Sequence, residues 1–364
     1  MRIAVVAPSL DIVGGQSIQA MALCAGLRQA RYEVDFVPVN PRFPRGLRWV
    51  RRCPYVRTML NEALYFPSLH RLRRADVVHV FSASYWSFLI AVAPALLAAR
   101  RFGKRILLNY HSGEARDHLR SSPVARMILR RTPCIAVPSQ YLVDVFREFG
   151  LLAVEVANIV DLSQFSYRAR RPLRPHLVCT RGFHTYYCLD VVIQAFGLVK
   201  SEFPDAELDL VGGGSLEPEM RRLVSDLKIS GVNFCGVASR QDIGKYYDRA
   251  DIFINASRLD NMPVSVLEAF AAGTPVISTS PEGIRYLVTD GCTALLCQVG
   301  DVRGLAANVV RALRDPELAA RLSSNGVEQL RRYDWQRVRQ DWLRAYGSLA
   351  PVVTEAADKT AAST

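Results

Sequence analysis

The chain has 364 residues, of which 50% are hydrophobic and 22% are charged. This balance is typical of a globular protein and excludes a disordered chain, and the length favours two domains over a single core. The longest apolar stretch, Tyr85 to Ala99, is interrupted by Ser87 and Pro94. Because a bilayer span needs roughly 20 apolar residues, we expect a buried helix there and no membrane-crossing segment.

The amino terminus and the cysteines both indicate a cytoplasmic protein. Residues Met1 to Ala7 carry an early charge and lead directly into a turn, which is typical of a first buried strand and not of a signal peptide. The eight cysteines are scattered, and no two form a Cys-x-x-Cys pair. Reduced thiols are therefore favoured over disulfides or a metal site.

Short apolar runs alternate with helical patterns throughout the chain, which predicts an α/β protein with parallel sheets covered on both faces. In the first half the predicted strands are Ile3–Ala7, Val34–Val39, Val77–Phe81, Arg105–Tyr110 and Ile135–Pro138. Helical patterns between them include Gln19 to Gln29 and Tyr141 to Phe149.

The alternation restarts in the second half. The predicted strands are His176–Thr180, Glu207–Val211, Val232–Cys235, Asp251–Asn255 and Pro275–Thr279. The predicted helices are Leu189–Lys200, Glu217–Leu227, Arg240–Tyr247 and Val264–Ala272, followed by helical patterns from Asp301 to about Tyr346. The sequence thus predicts two Rossmann-like domains.

The arginine- and proline-containing stretch from Ser163 to Pro175 reads as the connection between the two halves. We place the first domain at 1–165, the linker at 166–175 and the second domain at 176–332. A last helix then covers 333–350. The tail, 351–364, has too few apolar residues to bury a face and is expected to be disordered.

The formal net charge of +12 is unevenly distributed. Between residues 42 and 74 there are nine arginines and a single acid, Glu62, with Trp49 and Tyr55 among them. Arginines interleaved with aromatic residues favour anionic lipid head groups. Nucleic acid is the other polyanion that such a segment suits, but we predict no nucleic-acid partner. A solvated basic loop is the remaining alternative.

A glycine turn, Gly212-Gly213-Gly214, follows a predicted buried strand and precedes a helix. Glycines there let the backbone approach a phosphate or a base, next to the positive end of the helix. A tight turn that needs positive φ explains the same residues equally well.

A second candidate segment, Asp260-Asn261-Met262-Pro263, follows the strand that ends at Asn255. Pro263 suits the first turn of a helix, so Asp260 lies just before the helix and Glu268 lies within it. A carboxylate among apolar helix neighbours requires hydroxyl or amide partners, and a ribose diol could supply them.

Other polar residues follow strands in both halves. Arg181 follows the first strand of the second half, where a guanidinium could hold a departing diphosphate by bidentate bonds. Gly14 and Gly15 follow the first strand of the chain, and His111 and Glu114 follow the strand that ends at Tyr110. Each alone fits a structural role, but two sheets that face a cleft would bring them together.

These motifs, in this order, resemble the retaining family-four glycosyltransferases, which have the GT-B fold. The resemblance covers nearly the whole chain. It rests on Gly14-Gly15, Asn158-Ile159-Val160-Asp161 with Phe165, Arg181, Val211-Gly212-Gly213-Gly214, Asn233 to Val237, Tyr247 to Asp251, Asp260 with Glu268, Glu268 to Ile277, and Asp290-Gly291.

The resemblance implies a role for each matching residue. Glu268 would bind the donor ribose, Arg181 the diphosphate and Asp260 the transferred sugar, while His111 would approach that sugar from the first domain. The remaining donor-binding positions that it implies are Gly14, Gly15, Gly213, Gly214, Val237, Asn261, Met262 and Pro263. It also implies that the last helix crosses back to the first domain.

Three departures from the family pattern stand out. The first acid of the family's pair is Asp260, one methylene shorter than the usual glutamate. The lysine usual a few residues after Arg181 is absent, and that region reads Phe183-His184-Thr185-Tyr186-Tyr187. Tyr286 stands where many relatives have glutamate.

The implied activity is transfer of a hexose from a nucleotide-sugar to an acceptor hydroxyl with retention, without a metal or other cofactor. No Asp-x-Asp metal loop is evident, because Asp205-x-Glu207-x-Asp209 runs into a predicted strand. The expected acceptor is lipid-linked or a surface-polysaccharide precursor, on the inner face of the cell membrane. The alternatives are an inactive nucleotide-binding protein and another enzyme of the same fold, an epimerase or a phosphorylase.

Overall fold

The structure, a computed structural model, describes residues 1–9, 11, 15–82, 84–161, 164–347 and 349. The described part of the first half forms a six-stranded parallel sheet in the order β2-β1-β3-β4-β5-β6. Its strands are β1 (Arg2–Ala7), β2 (Glu33–Pro38), β3 (Val77–Ser82), β4 (Arg105–Tyr110), β5 (Cys134–Val137) and β6 (Val154–Glu155). The sequence reading missed β6, which is only two residues long and exposed.

Helices cover both faces of this sheet. They are α1 (Gly15–Gln29), α2 (Pro54–Ser68), α3 (Tyr85–Ser87), α4 (Ala93–Arg101), α5 (Ala115–Ser121), α6 (Pro123–Arg130) and α7 (Gln140–Glu148). A π-helical turn, Phe88–Val92, joins α3 to α4 into one continuous helix. The prediction of a buried helix from Tyr85 to Ala99 is only half right, since Trp86 and Leu97 are exposed. Apolar composition alone does not show which face of a helix is covered.

The second half forms, within its described residues, another six-stranded parallel sheet, in the order β12-β11-β10-β7-β8-β9. Its strands are β7 (His176–Cys179), β8 (Glu207–Val211), β9 (Val232–Gly236), β10 (Ile252–Asn255), β11 (Val276–Thr279) and β12 (Ala294–Cys297). We did not predict β12. Two six-stranded parallel α/β sheets confirm the predicted fold class.

The helices of the second half are α8 (Leu189–Glu202), α9 (Glu217–Asp226), α10 (Ile243–Arg249), α11 (Val264–Ala271), α12 (Glu282–Leu287), α13 (Val302–Arg314), α14 (Pro316–Gln329) and α15 (Trp335–Gly347). Most boundaries agree with the predicted ones to within a few residues. Among these helices the largest shift is at α10, which was predicted from Arg240 and begins at Ile243, while in the first half α1 begins at Gly15 and was predicted from Gln19.

The strands lie between two apolar layers, which explains why they read as continuous apolar runs. In β1, Ala4 and Val6 join one buried cluster, while Ile3, Val5 and Ala7 join the cluster on the opposite face. Because parallel strands of such sheets end at the same edge, the residues that follow them converge there.

The last helix crosses back to the first sheet, as predicted. Val338, Trp342 and Tyr346 of α15 belong to the cluster that also contains Ile3 and Val5 of β1. The Tyr346 hydroxyl lies 2.8 Å from Nδ1 of the buried His79 in β3. This contact ties the end of the chain to the centre of the first sheet.

The stretch predicted as a linker packs on the second half. The buried Arg170 side chain donates to the carbonyl oxygens of Tyr247 and Ala250, at 2.7 and 2.8 Å. Asp251, directly before β10, accepts from Arg168 at 2.5 Å and from the Arg174 amide at 2.6 Å. Burial tends to raise the pKa of Asp251, and these bonds outweigh it and hold the pKa below its usual value.

The arginine-rich segment is helical, not a loop. It consists of a 3-10 helix (Arg45–Arg52), α2 and a second 3-10 helix (Leu69–Arg74). Trp49, Tyr55 and Met59 expose 63%, 88% and 76% of their surface. Within the described residues, no helix is long and apolar enough to cross a membrane. The expected disordered tail and Gly14 lie outside the described residues.

Candidate active site

Arg181 occupies the carboxyl edge of the second sheet, just after β7, and its side chain is buried. Its Nε donates to Oδ1 of Asn255 at 2.9 Å, and its Nη2 donates to Oδ2 of Asp260 at 2.5 Å. The guanidinium carbon lies 4.8 Å from the centre of the Tyr187 ring. Burial would lower the pKa of Arg181, but the Asp260 carboxylate outweighs it and raises the pKa, so the side chain is a fixed cation.

The fixed position of Arg181 depends on Asn255, the last residue of β10. Asn255 is fully buried, and its own amide donates to the Ser278 hydroxyl at 2.9 Å. Its Oδ1 also accepts from Ser257 at 2.8 Å. The sequence reading treated Asn255 only as a strand end and missed this supporting role.

The loop after β10 brings Asp260 and Asn261 toward the first sheet. Ser139, which caps α7, donates to Oδ1 of Asn261 at 2.5 Å. Asn158, which follows β6, donates to the carbonyl oxygen of Met262 at 3.3 Å. Pro263 then precedes α11, whose first turn has no side-chain cap. The two halves of the molecule therefore meet at this loop.

Glu268 lies on α11 and faces the carboxyl edge of β7. Its Oε2 accepts from the hydroxyl of Tyr247 at 2.9 Å, and that hydroxyl lies 2.6 Å from the Thr180 hydroxyl. Burial raises the pKa of Glu268, while the bond to Tyr247 opposes the shift. Tyr247 belongs to the family motif, but the sequence did not show that it holds Glu268.

The glycine turn after β8 is required by close backbone packing. A Cβ at Gly212, where φ is +158°, would lie 2.0 Å from the Arg181 carbonyl oxygen. A Cβ at Gly214 would lie 2.5 Å from the Phe183 carbonyl oxygen. A Cβ at Gly213 would lie 3.0 Å from Val237, which is itself exposed. The turn thus joins the Arg181 segment to the end of β9.

His111 reaches the cleft from the first sheet. Its ring stacks on Phe81 at 5.3 Å, and burial lowers its pKa to about 4, so the imidazole is neutral at neutral pH. It lines a small cavity with Asn109, Asn158 and Trp342. Gly15, the first residue of α1, is exposed, and no described atom lies within 4 Å of the position of a Cβ there.

The structure therefore brings together Arg181, Asp260 and Asn261 directly, with Glu268 held beside them through Thr180 and Tyr247. His111 and Val237 directly follow β4 and β9, as predicted, and Gly15 begins α1. No direct contact joins them to that group among the described residues. In the described part of the chain, no three His, Cys, Asp or Glu side chains form a group that could hold a metal ion.

Two family models match the chain. The model described as Glycosyltransferase Family 4 matches residues 13–164, and the model described as Glycosyl transferases group 1 matches residues 174–329. A phosphatidyl-myo-inositol mannosyltransferase of Mycolicibacterium smegmatis is 26% identical, over 96% of this chain and 94% of its own. The lipopolysaccharide core biosynthesis glycosyltransferase LpsE of Rhizobium meliloti is 32% identical over 41% of each chain.

Solved structures show the same fold. A sucrose-phosphate synthase from Thermosynechococcus elongatus superposes with a TM-score of 0.76 at 21% identity, over 96% of this chain and 98% of its own. HepE of Anabaena, solved with UDP-glucose, has a TM-score of 0.74 at 17% identity, over 96% of this chain and 100% of its own. The molecule is thus a GT-B protein, with two Rossmann-like sheets facing one cleft. The chain belongs to the glycosyltransferases, with a family-four first half and a group 1 second half.

Proposed function

We propose that this glycosyltransferase moves a hexose from a nucleotide-sugar to an acceptor hydroxyl and retains the anomeric configuration. The observation that supports this most is the convergence of Arg181, Asp260 and Glu268 at the carboxyl edge of the second sheet. HepE, which shares the fold, was solved with UDP-glucose, and a donor of that class suits this edge.

In the proposed complex the nucleotide lies along the second sheet. Glu268 accepts from the ribose hydroxyls, and the backbone at Val237 meets the base. Gly213 and Gly214 leave room for the nucleotide, and Arg181 binds the diphosphate. A guanidinium has five N–H donors, and Asn255 and Asp260 accept from Nε and Nη2, with the Tyr187 hydroxyl also in hydrogen-bonding reach. The other donors remain for phosphate oxygens.

The remaining donor contacts come from the loop and from the first sheet. Asp260 contacts the transferred sugar, with Asn261, Met262 and Pro263 shaping its pocket. Gly14 and Gly15 cap the diphosphate, and His111 faces the sugar as a neutral donor or acceptor.

The proposed chemistry needs no metal or other cofactor. The bond between the anomeric carbon and the diphosphate oxygen breaks while the acceptor oxygen bonds to the same face of that carbon. The acceptor proton passes to a phosphate oxygen. Arg181 stabilises the charge that grows on the leaving group, together with the uncapped first turn of α11.

The proposed acceptor is lipid-linked or a surface-polysaccharide precursor. The relative from Mycolicibacterium smegmatis is by name a phosphatidyl-myo-inositol mannosyltransferase. Here the basic segment 42–74 presents Trp49, Tyr55 and Met59 to solvent, which suits peripheral binding at the inner, anionic face of a membrane.

The donor assignment can be tested by thermal unfolding with a panel of nucleoside diphosphates and nucleotide-sugars, because ligand binding raises apparent stability. Nucleotides that carry one particular base should raise the unfolding temperature more than the others do. Glu268→Ala should lose most of that shift, since the ribose hydroxyls lose their acceptor, while Glu328→Ala, an exposed glutamate on α14, should retain it.

A wild-type protein that binds the nucleotide without releasing nucleoside diphosphate from any nucleotide-sugar would indicate an inactive binding protein. An unchanged shift in Glu268→Ala would show that the nucleotide lies elsewhere.

A further inference from the structure

Aromatic side chains line the cleft edge of the first sheet, outside the donor positions. Tyr85 and Trp86 begin the helix that follows β3, and Trp86 exposes 77% of its surface. Across the cleft, Tyr186 follows β7 on a short 3-10 helix (Thr185–Tyr187) and exposes 39%. Exposed aromatic side chains at the edge where the ligands of such sheets bind are candidates for contact with a ligand.

These side chains lie close to the reaction centre. A Cβ at Gly113, in the turn after β4, would lie 3.5 Å from Cγ of Leu259 and 3.8 Å from the amide nitrogen of Asn261. The exposed Glu114 is therefore adjacent to the loop that holds Asp260. Burial is the main cause that raises the pKa of Tyr186, and the nearby carboxylates of Glu114 and Asp260 add to it. Glu114 thus lies within electrostatic reach of the second half.

Tyr85 is held firmly on the other side of Glu114. It adopts a φ of +55°, and its hydroxyl donates to Asp117 at 2.5 Å. Its ring lies 5.3 Å from the ring of the buried His118. His118 Nδ1 lies 2.8 Å from the Tyr110 hydroxyl, and its buried Nε2 has no partner among the described residues. A polar layer with an unpaired nitrogen thus lies beneath the exposed aromatic surface.

We propose that Tyr85, Trp86, Glu114 and Tyr186 bind the acceptor, and that the acceptor's reacting unit is a pyranose or cyclitol ring that carries no carboxylate. This deepens the proposed function and rests on it. Aromatic faces cover the C–H face of such a ring, and the Glu114 carboxylate accepts from neighbouring hydroxyls. A ring that carries a carboxylate is rejected, because Glu114 and Asp117 repel a negative charge there.

The first test is binding, which needs no turnover. Saturation-transfer NMR with UDP present compares methyl α-glucoside and myo-inositol with methyl α-glucuronide. The wild type should bind a neutral ring and not the glucuronide. Trp86→Ala should weaken neutral-ring binding about tenfold, as loss of one aromatic contact does. Trp49→Ala, which changes another exposed tryptophan, in the basic segment, should bind as the wild type does.

The second test separates charge from shape. Glu114→Gln should weaken neutral-ring binding and admit the glucuronide, because the repelling charge is gone while the side chain keeps its length. Binding of neither neutral ring by the wild type, equal binding of the glucuronide, or an unchanged Trp86→Ala would overturn the inference. Release of nucleoside diphosphate from the donor without acceptor is measured in parallel. If that release persists while ring binding fails, only this inference is wrong, and the donor assignment stands.

Discussion

At the scale of single residues, two departures from the family pattern explain each other. Tyr187 lies in the region where relatives have the second cation, and its ring packs against the Arg181 guanidinium. Asp260, shorter than the usual glutamate, bonds directly to the same guanidinium at 2.5 Å. With Asn255 on a third side, Arg181 is held in one orientation without a lysine beside it. In the proposed donor site, one oriented cation would therefore stand where the resemblance implies two.

In the proposed donor site, we expect Arg181 to be the main electrostatic contributor to turnover. Arg181→Ala should lower kcat about a hundredfold, as removal of one oxyanion donor does, with a smaller change in donor affinity. Arg181→Lys should recover only part of kcat, since an ammonium lacks the planar fork. Single-turnover kinetics with calorimetric donor Kd values separates the two effects.

The matched control is Arg314→Ala on α13. That arginine pairs with Glu202 at the end of α8, on the opposite edge of the sheet from the ligand positions. Its loss should leave kcat unchanged. Equal turnover in Arg181→Ala and the wild type would rule out Arg181 as the diphosphate ligand.

At the scale of secondary-structure elements, α12 of the second half docks on α5 and α7 of the first. Arg116 of α5 bonds to Glu148 of α7 at 2.9 Å and also to Glu282 of α12. Tyr286 of α12, which replaces the glutamate of many relatives, donates to Asp144 of α7 at 3.0 Å. Tyr286, the third departure from the family pattern, thus supplies a contact between the two halves of the molecule.

Loss of this contact should favour a more open molecule. Combining Arg116→Ala with Tyr286→Phe removes the ion pairs and the phenol bond, at a cost of about 1 kcal/mol or less for each exposed pair. We expect the radius of gyration of the ligand-free protein to increase in small-angle scattering and the donor KM to rise, with little change in kcat.

Glu33→Ala is the control, because Glu33 at the start of β2 pairs with Arg2 at the start of β1, at the amino edge of the first sheet. It should match the wild type in both measurements. An unchanged radius and KM in the double variant would show that these contacts do not control opening.

The elements that the sequence predicted well are those buried on both faces, such as β1 and β3, because burial leaves a continuous apolar run. The exposed two-residue β6 leaves no such run, and β12 is an edge strand whose last residues are partly exposed. Pairings within the site were harder to predict. Arg181 and Asp260 are 79 residues apart, and only the packing of β7 beside β10 makes them neighbours.

The family resemblance assigned a role to Glu268 but did not identify Tyr247 as the residue that holds it. Tyr247 and Glu268 are separated by 21 residues, and α10 must pack beside α11 before their bond can form. Likewise, the composition of 85–99 predicted burial, but the structure leaves Trp86 and Leu97 exposed, because only one face of that helix packs against the rest of the first half. Long-range packing, which no local pattern encodes, decides both.

At the scale of the whole molecule, the exposed apolar residues of α2 and Trp86 share one end of the first sheet. The Tyr65 hydroxyl of α2 donates to the Ala91 carbonyl oxygen, and further along the chain the His70 ring lies 6.2 Å from Phe102. The two helices therefore run in the same direction, and both begin toward the carboxyl edge of the first sheet. A lipid surface under α2 would be next to the proposed acceptor subsite.

The last prediction concerns this surface. The segment between residues 42 and 74 contains nine arginines and one acidic residue, Glu62. Each basic residue near an anionic membrane contributes about 1 kcal/mol of binding free energy. The protein should co-sediment with vesicles that contain phosphatidylglycerol, not with neutral phosphatidylcholine vesicles, and binding should weaken as salt screens the charges. Changing Arg48, Arg51 and Arg52 to glutamate should abolish co-sedimentation.

Two comparisons make that experiment decisive. Changing Trp49 and Tyr55 to serine should weaken binding even at low salt, because interfacial aromatic side chains anchor independently of charge. Changing Arg303, Arg311 and Arg314 of α13 to glutamate alters the net charge by the same amount as the triple change in the basic segment. This control variant should bind anionic vesicles much more strongly than the basic-segment variant. An equal loss of vesicle binding in both triple variants would indicate an effect of net charge alone. Failure of the wild type to bind anionic vesicles at low salt would favour an acceptor that is free in solution.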